Sequence, residues 1–210
     1  SSAASDVYKR QTHKGLGCLK ITALNDNYDG VAYSSARIKT EGLFEQRYGR
    51  FEARLKLPYG PGLWPAFWML GANYATDVWP KCGEIDIMEQ LNHDGIVYQT
   101  IHSHYKNDLG FTKPVPTKTV SYNKGQFNIF GIEWTPEALT FKVNGATTLV
   151  YPNLHLADES VKKQWPFDTS FYLILNYALG GPGTWPGTIT DSELPAKMEI
   201  DWVKVSQPTG

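Results

Sequence analysis

The sequence predicts an all-β fold, an antiparallel sandwich or jelly roll. Three observations predict this class: about ten short segments have the pattern of strands, turn signals separate them, and no window carries a long apolar stripe at helical spacing. Helix is expected only as short turns near 158–163 and 191–194. The 210 residues contain no internal repeat, low-complexity tract or linker, so we expect one domain.

Two segments show the strand pattern most clearly. In 51–57, apolar residues alternate with charged ones, which predicts a half-buried strand. Segment 139–143 repeats the alternation and runs into Asn144-Gly145, a favoured two-residue hairpin turn because both positions tolerate positive φ. Further strands are predicted near 18–25, 31–40, 65–70, 83–91, 96–105, 127–134, 171–178 and 197–205.

The composition excludes several classes of function. A formal net charge of -1 gives no basic surplus for binding nucleic acid or an anionic membrane, and no run is long enough to span a membrane. Cys18 and Cys82 have no metal-ligand spacing, which excludes a zinc site or a thioredoxin-like motif and leaves their pairing open. The 7 Trp, 12 Tyr and 9 Phe suit either a core or the apolar faces of sugars.

The first eleven residues differ from the rest of the chain. They resemble the translation of a sequencing-library adaptor, with residues 6–11 as the characteristic part. We therefore predict that residues 1–11 are a non-native segment and that residues 12–210 form a single domain. We also expect that this domain lacks its natural N-terminal segment, including any export signal and first strand.

The segment GEIDIMEQ, residues 83–90, carries three acids on one predicted strand. Side chains alternate across a strand, so Glu84 and Asp86 share one face, whereas Glu89 would join the isoleucines on the other. Burying an unpaired carboxylate there would cost several kcal/mol. A β-bulge at Ile87-Met88 adds one residue and returns Glu89 to the face of the other two acids. The sequence thus predicts a bulged strand with three carboxylates in a row.

A row of carboxylates is suited to glycoside hydrolysis. Neighbouring carboxylates repel, so at least one pKa must rise, and the reaction needs one ionised carboxylate and one protonated acid. Side chains on one strand face can approach to about 5 to 6 Å, which suits retaining rather than inverting enzymes. Two other interpretations stay open: a solvated strand face, and a calcium or magnesium site that includes His93 and Asp94.

Tryptophans flank the acid strand. Trp64 and Trp68 have the same strand parity, Trp79 follows them, and Trp185 lies in a loop rich in Gly and Pro. A core position would explain any one of them. Several tryptophans near three acids instead favour stacking platforms for sugar rings.

These segments carry a resemblance to a known family. Residues 48–54, GLWPAFWML (62–70) and GEIDIMEQ resemble glycoside hydrolase family 16 endo-β-glucanases of the lichenase and laminarinase type, whose E-x-D-x-x-E signature is present in its bulged form. The resemblance extends from about residue 17 to 205 and ends in a segment similar to the family's last strand. It implies a β-jelly-roll sandwich of two antiparallel sheets with a concave substrate cleft.

The resemblance implies roles for individual residues. Glu84 would be the nucleophile, Asp86 its hydrogen-bonded helper, and Glu89 the general acid and then the general base. The predicted substrate-binding residues are Arg37, Trp64, Trp68, Trp79, His102, Asn176 and, from its loop position alone, Trp185. The resemblance implies no catalytic cofactor. It does imply a structural calcium ion, with Asp201 and the carbonyl of Gly17 matching two of its ligands.

We therefore expect a retaining endo-β-glucanase that hydrolyses mixed-linkage β-1,3-1,4-glucan, because the stretch 102–105 is similar to that subgroup. An endo-β-1,3-glucanase is the alternative within the family, and a transglycosylase shares the covalent intermediate. The alternative from another class is a non-catalytic glucan-binding module, although such modules lose the catalytic acids.

The expected partner is a β-glucan polysaccharide. The segments assigned to the cleft are poor in Arg and Lys, which disfavours sulphated galactans as substrates. Because a polymer cannot be degraded efficiently inside the cytoplasm, we expect a secreted protein, and we expect it to be a monomer.

Overall fold

A computed structural model describes residues 11–13, 16–158 and 161–207 of the chain. Within these residues, two antiparallel sheets confirm the predicted sandwich. The larger sheet runs in the order β1 (Gln11–His13), β2 (Leu16–Tyr28), β14 (Ala196–Ser206), β5 (Gly49–Lys56), β10 (Asn128–Trp134), β11 (Ala138–Val143) and β12 (Ala146–Pro152), with β3 (Val31–Ser34) paired to β2. The smaller sheet runs in the order β4 (Arg37–Lys39), β13 (Phe171–Leu179), β6 (Leu63–Gly71), β7 (Glu84–Glu89), β8 (Ile96–His102) and β9 (Thr117–Ser121).

The core lies between the two sheets and follows from the alternation along each strand. On β5, Phe51, Ala53 and Leu55 are buried, whereas the charged residues between them are partly exposed. On β6, Phe67 and Met69 face the same core from the smaller sheet. The other face of the smaller sheet is therefore left free to carry polar and aromatic side chains.

Several local differences from the sequence-based prediction concern strand ends and edges, and β12, which follows the predicted hairpin turn, was not itself among the predicted strands. The strand predicted over 96–105 ends at His102, because Ser103 accepts a hydrogen bond from the backbone N–H of Lys106 at 3.3 Å and caps helix α1 (His104–Asn107). The segment predicted over 31–40 divides into β3 and β4. The edge strand β9 was not predicted, because its mostly exposed Thr, Lys and Ser residues carry no apolar alternation.

The short helical turns fall close to their predicted places, as 3₁₀ helices at Lys162–Gln164 and Asp191–Glu193. The predicted non-native segment, 1–11, lies outside the described residues except for Gln11, which pairs with Cys18. Cys18 and Cys82 are both buried and do not form a disulfide with each other. No helix among the described residues is long and apolar enough to cross a membrane.

Gly83 determines how the acid strand β7 begins. Its φ is +80°, and a Cβ added there would lie 2.8 Å from the ring of Pro166 and 3.0 Å from that of Phe171. Gly145, in the predicted hairpin turn, has a similar φ of +84° but open space around it. The two glycines share a backbone requirement and differ in packing.

We expect Gly145→Ala to lower the free energy of unfolding by about 1 kcal/mol, and Gly83→Ala to lower it by about 2 to 3 kcal/mol more, because only the second also overpacks the core. Chemical denaturation of both variants and the parent measures these values. Equal losses for the two variants would show that the contacts around Gly83 do not constrain the start of β7.

Candidate active site

The predicted bulge is present in β7. On the β6 side, Trp68 pairs with Asp86 and Phe67 pairs with Met88, so the register skips Ile87. On the β8 side, the pairing also shifts between Asp86 and Glu89. The extra residue confirms the prediction made from the spacing of the three acids.

The bulge sorts the side chains of β7 onto two faces. Those of Glu84 and Glu89 are partly exposed, and that of Asp86 lies between them with 4% of its surface exposed. The side chains of Ile85, Ile87 and Met88 are fully buried in the core between the sheets. The three carboxylates therefore share the face of the smaller sheet that points away from the core.

His102 on β8 contacts two of the acids. Its Nε2 lies 3.2 Å from Oδ2 of Asp86 and 3.9 Å from Oε1 of Glu84. Trp79 lies beside this group, with its ring 5.8 Å from the His102 ring, and its side chain hydrogen-bonds to Glu84. One end of the acid row is thus enclosed by two of the residues predicted to bind substrate.

Glu89 at the other end has a separate aromatic environment. The indole Nε1 of Trp64 donates a hydrogen bond of 2.9 Å to Oε1 of Glu89. Trp185 packs edge-on against Trp64 at 5.7 Å and against Tyr98 at 4.8 Å between ring centroids. This arrangement gives Glu89 a fixed direction and surrounds it with apolar ring faces.

The remaining predicted contacts lie on the strands on the β6 side of the acids. Trp68 pairs directly with Asp86 and donates from its Nε1 to Oδ1 of Asn176 at 2.6 Å. The guanidinium of Arg37 lies 5.5 Å over the Trp68 ring, and Arg37 pairs with Asn176 across β4 and β13. All seven predicted substrate-binding residues thus lie around the same face as the acids.

A groove continues from this group toward the edge of the smaller sheet. It encloses about 630 Å³ and is lined by residues that include Tyr28, Tyr33, Arg37, Asn176 and Gly181. Tyr28 is 48% exposed, so its ring is available to a ligand. The sequence-based prediction did not include this tyrosine, because a single exposed aromatic residue in a strand carries no pattern.

The structure adds two residues behind His102 that the sequence-based prediction missed. Nδ2 of Asn107 lies 3.0 Å, and Nζ of Lys106 lies 3.4 Å, from Nδ1 of His102. Oδ1 of Asn107 accepts from the backbone N–H of Ser103 at 3.2 Å, which directs the NH₂ group toward the imidazole. Both groups donate, so Nδ1 of His102 is the acceptor and its Nε2 carries the proton. The capping residue Ser103 was the one sequence signal for this helix.

Burial governs the protonation of the acids. Burial, and after it the negative charge of Asp86, raise the pKa of Glu84 to about 8. Burial also raises the pKa of Asp86 well above its ordinary value, with the charge of Glu89 adding to the effect. Burial raises the pKa of Glu89, and the hydrogen bond from Trp64 opposes this upward shift. The row therefore retains a proton near neutral pH, as a reaction with one acid and one nucleophile requires.

Two basic side chains, His102 on β8 and Lys106 on α1, face the acid row. Burial lowers the pKa of His102, and the neighbouring Lys106 lowers it further, so the imidazole is neutral near neutral pH. Burial lowers the pKa of Lys106, while the charges of the three acids oppose that shift. Nε2 of His102 lies close to Oδ2 of Asp86 without forming a hydrogen bond to it, and the hydrogen bond between Glu84 and Asp86 favours the protonated form of Glu84.

The metal-site interpretation is not favoured by this arrangement. Among the described residues, one group of three side chains could hold a metal ion: Glu84, Asp86 and His102. His93 and Asp94, which the metal-site interpretation named, do not belong to it. The ligand atoms of this group lie within 4.8 Å of one another. However, Nε2 of His102 carries a proton and has no free lone pair for a metal ion.

The two residues expected to bind structural calcium lie on the larger sheet. The Asp201 carboxylate accepts a hydrogen bond of 2.5 Å from Nη1 of Arg54, so a guanidinium already occupies it. No group of three His, Cys, Asp or Glu ligands in the described part of the chain includes Asp201. Calcium binding by Gly17 and Asp201 therefore stays a prediction.

Comparison with known proteins places this geometry in context. The profile of the family described as Glycosyl hydrolases family 16 matches residues 3–204. A keratan-sulfate endo-1,4-beta-galactosidase of Sphingobacterium multivorum is 39% identical over 178 residues, covering 84% of this chain and 41% of that protein. A beta-glucanase of Rhodothermus marinus is 39% identical over 197 residues, covering 91% of this chain and 68% of that protein. The chain thus spans less than half of the first relative and about two thirds of the second.

A solved structure shares the same architecture. The crystal structure of a laminarinase from Flavobacterium sp. UMI-01 superimposes with a TM-score of 0.81 at 35% sequence identity. The match covers 96% of this chain and 82% of that chain. The fold, and not only the acid motif, is therefore similar to that of a β-glucan-degrading enzyme.

The raised pKa of Glu84 predicts a pH-dependent cost to stability. Because this pKa is higher in the folded chain than in the unfolded chain, the folded state binds more protons between about pH 4.5 and 8, and stability falls as the pH rises through that window. Glu84→Gln removes the charge. The gain in free energy of unfolding of this variant over the parent should therefore depend on pH. We expect that gain to be about 1 to 2 kcal/mol larger at pH 8 than at pH 4.5.

Thermal unfolding of parent and variant at the two pH values measures this difference. Glu41→Gln is a suitable control, because the Glu41 side chain is 42% exposed and its partner is a lysine, Lys39, not a histidine. A Glu84→Gln effect independent of pH would contradict a raised pKa at this position.

Proposed function

Because the chain belongs to glycosyl hydrolase family 16, we propose that it is a retaining endo-β-glucanase that cleaves β-1,3- and mixed β-1,3-1,4-glucans. The observation that carries the proposal is the row of Glu84, Asp86 and Glu89 on one face of a bulged strand. Retaining glycoside hydrolysis requires a pair of carboxyl groups in different environments, and here aromatic rings flank the pair on both sides.

The pKa of about 8 places a proton on Glu84 near neutral pH, so in the first step Glu84 passes this proton to another carboxyl of the row. Its ionised carboxylate then attacks the anomeric carbon of the bound glucan. Glu89 donates its proton to the departing glycosidic oxygen, so the bond between that oxygen and the anomeric carbon breaks as the covalent glycosyl-enzyme forms. The hydrogen bond from Trp64 fixes the Glu89 carboxyl, which leaves its second oxygen for the leaving group.

In the second step, Glu89 removes a proton from water, and the hydroxide oxygen attacks the anomeric carbon to release Glu84. Asp86 modulates the charge of the nucleophile in both steps. It hydrogen-bonds to Glu84, and Nε2 of His102 lies 3.2 Å from its Oδ2. The reaction uses carboxyl groups and water throughout and needs no redox cofactor.

A neutral glucan suits the groups around the acids. Trp64, Trp79 and Trp185 offer apolar ring faces for sugar rings, and Trp79 and Trp185 are 43% and 52% exposed. The cations near the acids are Arg37 and Lys106, and Lys106 points at the acid row from behind His102. A sulphated galactan would require exposed cations spaced along the groove. Because one relative is a keratan-sulfate endo-1,4-beta-galactosidase, keratan sulphate is also a substrate to test.

The linkage preference is the finer part of the proposal. The stretch 102–105, on which the mixed-linkage expectation depends, contributes His102 to the site, while Ser103 caps α1 and Tyr105 is buried against Phe111. Preference for mixed-linkage glucan therefore stays a prediction. The similarity to a solved laminarinase favours β-1,3-glucan as the second candidate substrate.

Two alternatives to hydrolysis are separable by experiment. A glucan-binding module does not need the acids, yet all three are present here with raised pKa values. A transglycosylase would transfer the glycosyl group from Glu84 to a sugar acceptor instead of water. Mass spectrometry of the products distinguishes new, longer oligosaccharides from hydrolysis products.

We expect the parent chain to release reducing ends from barley β-glucan, lichenan and laminarin, and not from agarose or keratan sulphate. Glu84→Ala should abolish release, because it removes the nucleophile, and Glu89→Ala should reduce it by about 10²- to 10⁴-fold, because it removes the general acid. Unchanged circular dichroism shows that each variant is folded.

The matched control is Glu52→Ala, which removes a carboxylate on the larger sheet that pairs with Arg50. It should keep near-parental activity. Near-parental turnover by Glu84→Ala would refute the proposed nucleophile, and activity on laminarin alone would refute the mixed-linkage preference.

A further inference from the structure

The bulge in β7 has a hydrogen-bonding partner on the core side of β8. Gln99 is fully buried, and its Nε2 lies 3.2 Å from the backbone carbonyl oxygen of Ile87, the residue that the register skips. A buried carbonyl without a partner costs about 1 to 3 kcal/mol. The Gln99 side chain therefore provides the hydrogen bond that the interrupted ladder does not.

The same side chain is held from the opposite sheet. Thr148 Oγ1 lies 2.5 Å from Oε1 of Gln99. Thr148 is itself skipped in the pairing of β11 with β12, where Phe141 pairs with Leu149 and Lys142 pairs with Thr147. Irregularities in the two sheets are thus joined across the core by one glutamine.

Chemistry fixes the direction of both hydrogen bonds. The carbonyl of Ile87 can only accept, so the amide NH₂ of Gln99 must face it. The amide oxygen of Gln99 then faces Thr148 and accepts from its hydroxyl, which also lies 3.1 Å from a second acceptor, the backbone carbonyl oxygen of Phe141. No other orientation of the amide satisfies both contacts.

We propose that Gln99 and Thr148 are positioning residues that hold the β7 bulge and so direct Glu89 toward the substrate. The hydrogen bond to Ile87 exists only in the bulged register, because a regular strand would return Ile87 to the ladder and turn Glu89 to the opposite face. This pair of residues, Gln99 and Thr148, which we call the relay, contacts none of the three acids. It acts on the general acid through the backbone of the two residues that precede Glu89.

This inference rests on the proposed function for its kinetic test. Hydrolysis of a glucan requires protonation by Glu89, whereas a 2,4-dinitrophenyl β-laminaribioside carries a leaving group that departs without protonation. For kcat/KM, which reports steps up to formation of the glycosyl-enzyme, the aryl substrate therefore depends on Glu84 and not on Glu89.

We expect Gln99→Leu to lower kcat/KM on laminarin by about 10- to 100-fold and on the aryl substrate by less than about 3-fold. Thr148→Val should lower the ratio of kcat/KM on laminarin to kcat/KM on the aryl substrate by a smaller factor. It removes the hydrogen bond to the Gln99 amide oxygen but leaves the Gln99 NH₂ group that faces Ile87. If Gln99→Leu does not fold, Thr148→Val decides the outcome.

A second measurement does not depend on activity. The indole N–H of Trp64 donates to Glu89, so its resonance in a ¹⁵N-tryptophan spectrum reports where that carboxyl lies. We expect both variants to move this resonance toward the position of an indole without the hydrogen bond.

The matched control is Gln164→Leu. Gln164 is also a buried glutamine, but it bonds to Leu154 and Pro152 away from the acid strand. It should lower stability without changing the substrate ratio or the Trp64 resonance. Equal losses on both substrates, or an unmoved resonance in both relay variants, would overturn the inference. A parent chain that hydrolyses neither substrate would instead refute the proposed function, and the Trp64 resonance would still test the relay.

Discussion

The extra residue Ile87 sets the direction of Glu89 relative to the other two carboxylates of β7. In a regular strand, Glu89 would point into a core of isoleucine and methionine, where a charged group has no partner. The bulge instead places Glu89 on the face of Glu84 and leaves one backbone carbonyl unpaired in the core. That carbonyl finds a partner in Gln99, and the sandwich therefore supports its site from the buried side.

The acid row in turn determines what its surroundings must supply. Three half-buried or buried carboxylates repel one another, so each has a raised pKa and the row keeps a proton. Donors reach the row from Trp64 on β6 and from Trp79 in the loop that follows β6, and Nε2 of His102 on β8 lies 3.2 Å from Asp86. Helix α1 adds the positive charge of Lys106 and fixes the tautomer of His102. Placing the acids close together thus lowers the stability of the fold, and it also allows one carboxyl to act as an acid and another as a nucleophile.

Patterns within single strands were readable from the sequence, whereas contacts between distant strands were not. The interval between Glu84 and Glu89 contradicts strand parity, which was sufficient to predict the bulge. Lys106 was missed because one capping serine is a weak signal for a helix of four residues. The Gln99–Thr148 contact joins residues 49 positions apart on opposite sheets, and the packing of those sheets, not a local pattern, brings them together. The Asp201–Arg54 pair has the same origin, because it joins residues 147 positions apart.

The central claim is that the bulged strand presents Glu84 to the anomeric carbon as a nucleophile. Incubation with 2,4-dinitrophenyl 2-deoxy-2-fluoro-β-laminaribioside tests it directly, because the fluorine slows release of the covalent intermediate more than its formation. Intact-mass and peptide mass spectrometry should find one glycosyl adduct, and it should lie on Glu84. An adduct on another residue, or no adduct together with products of inverted anomeric configuration, would contradict the claim.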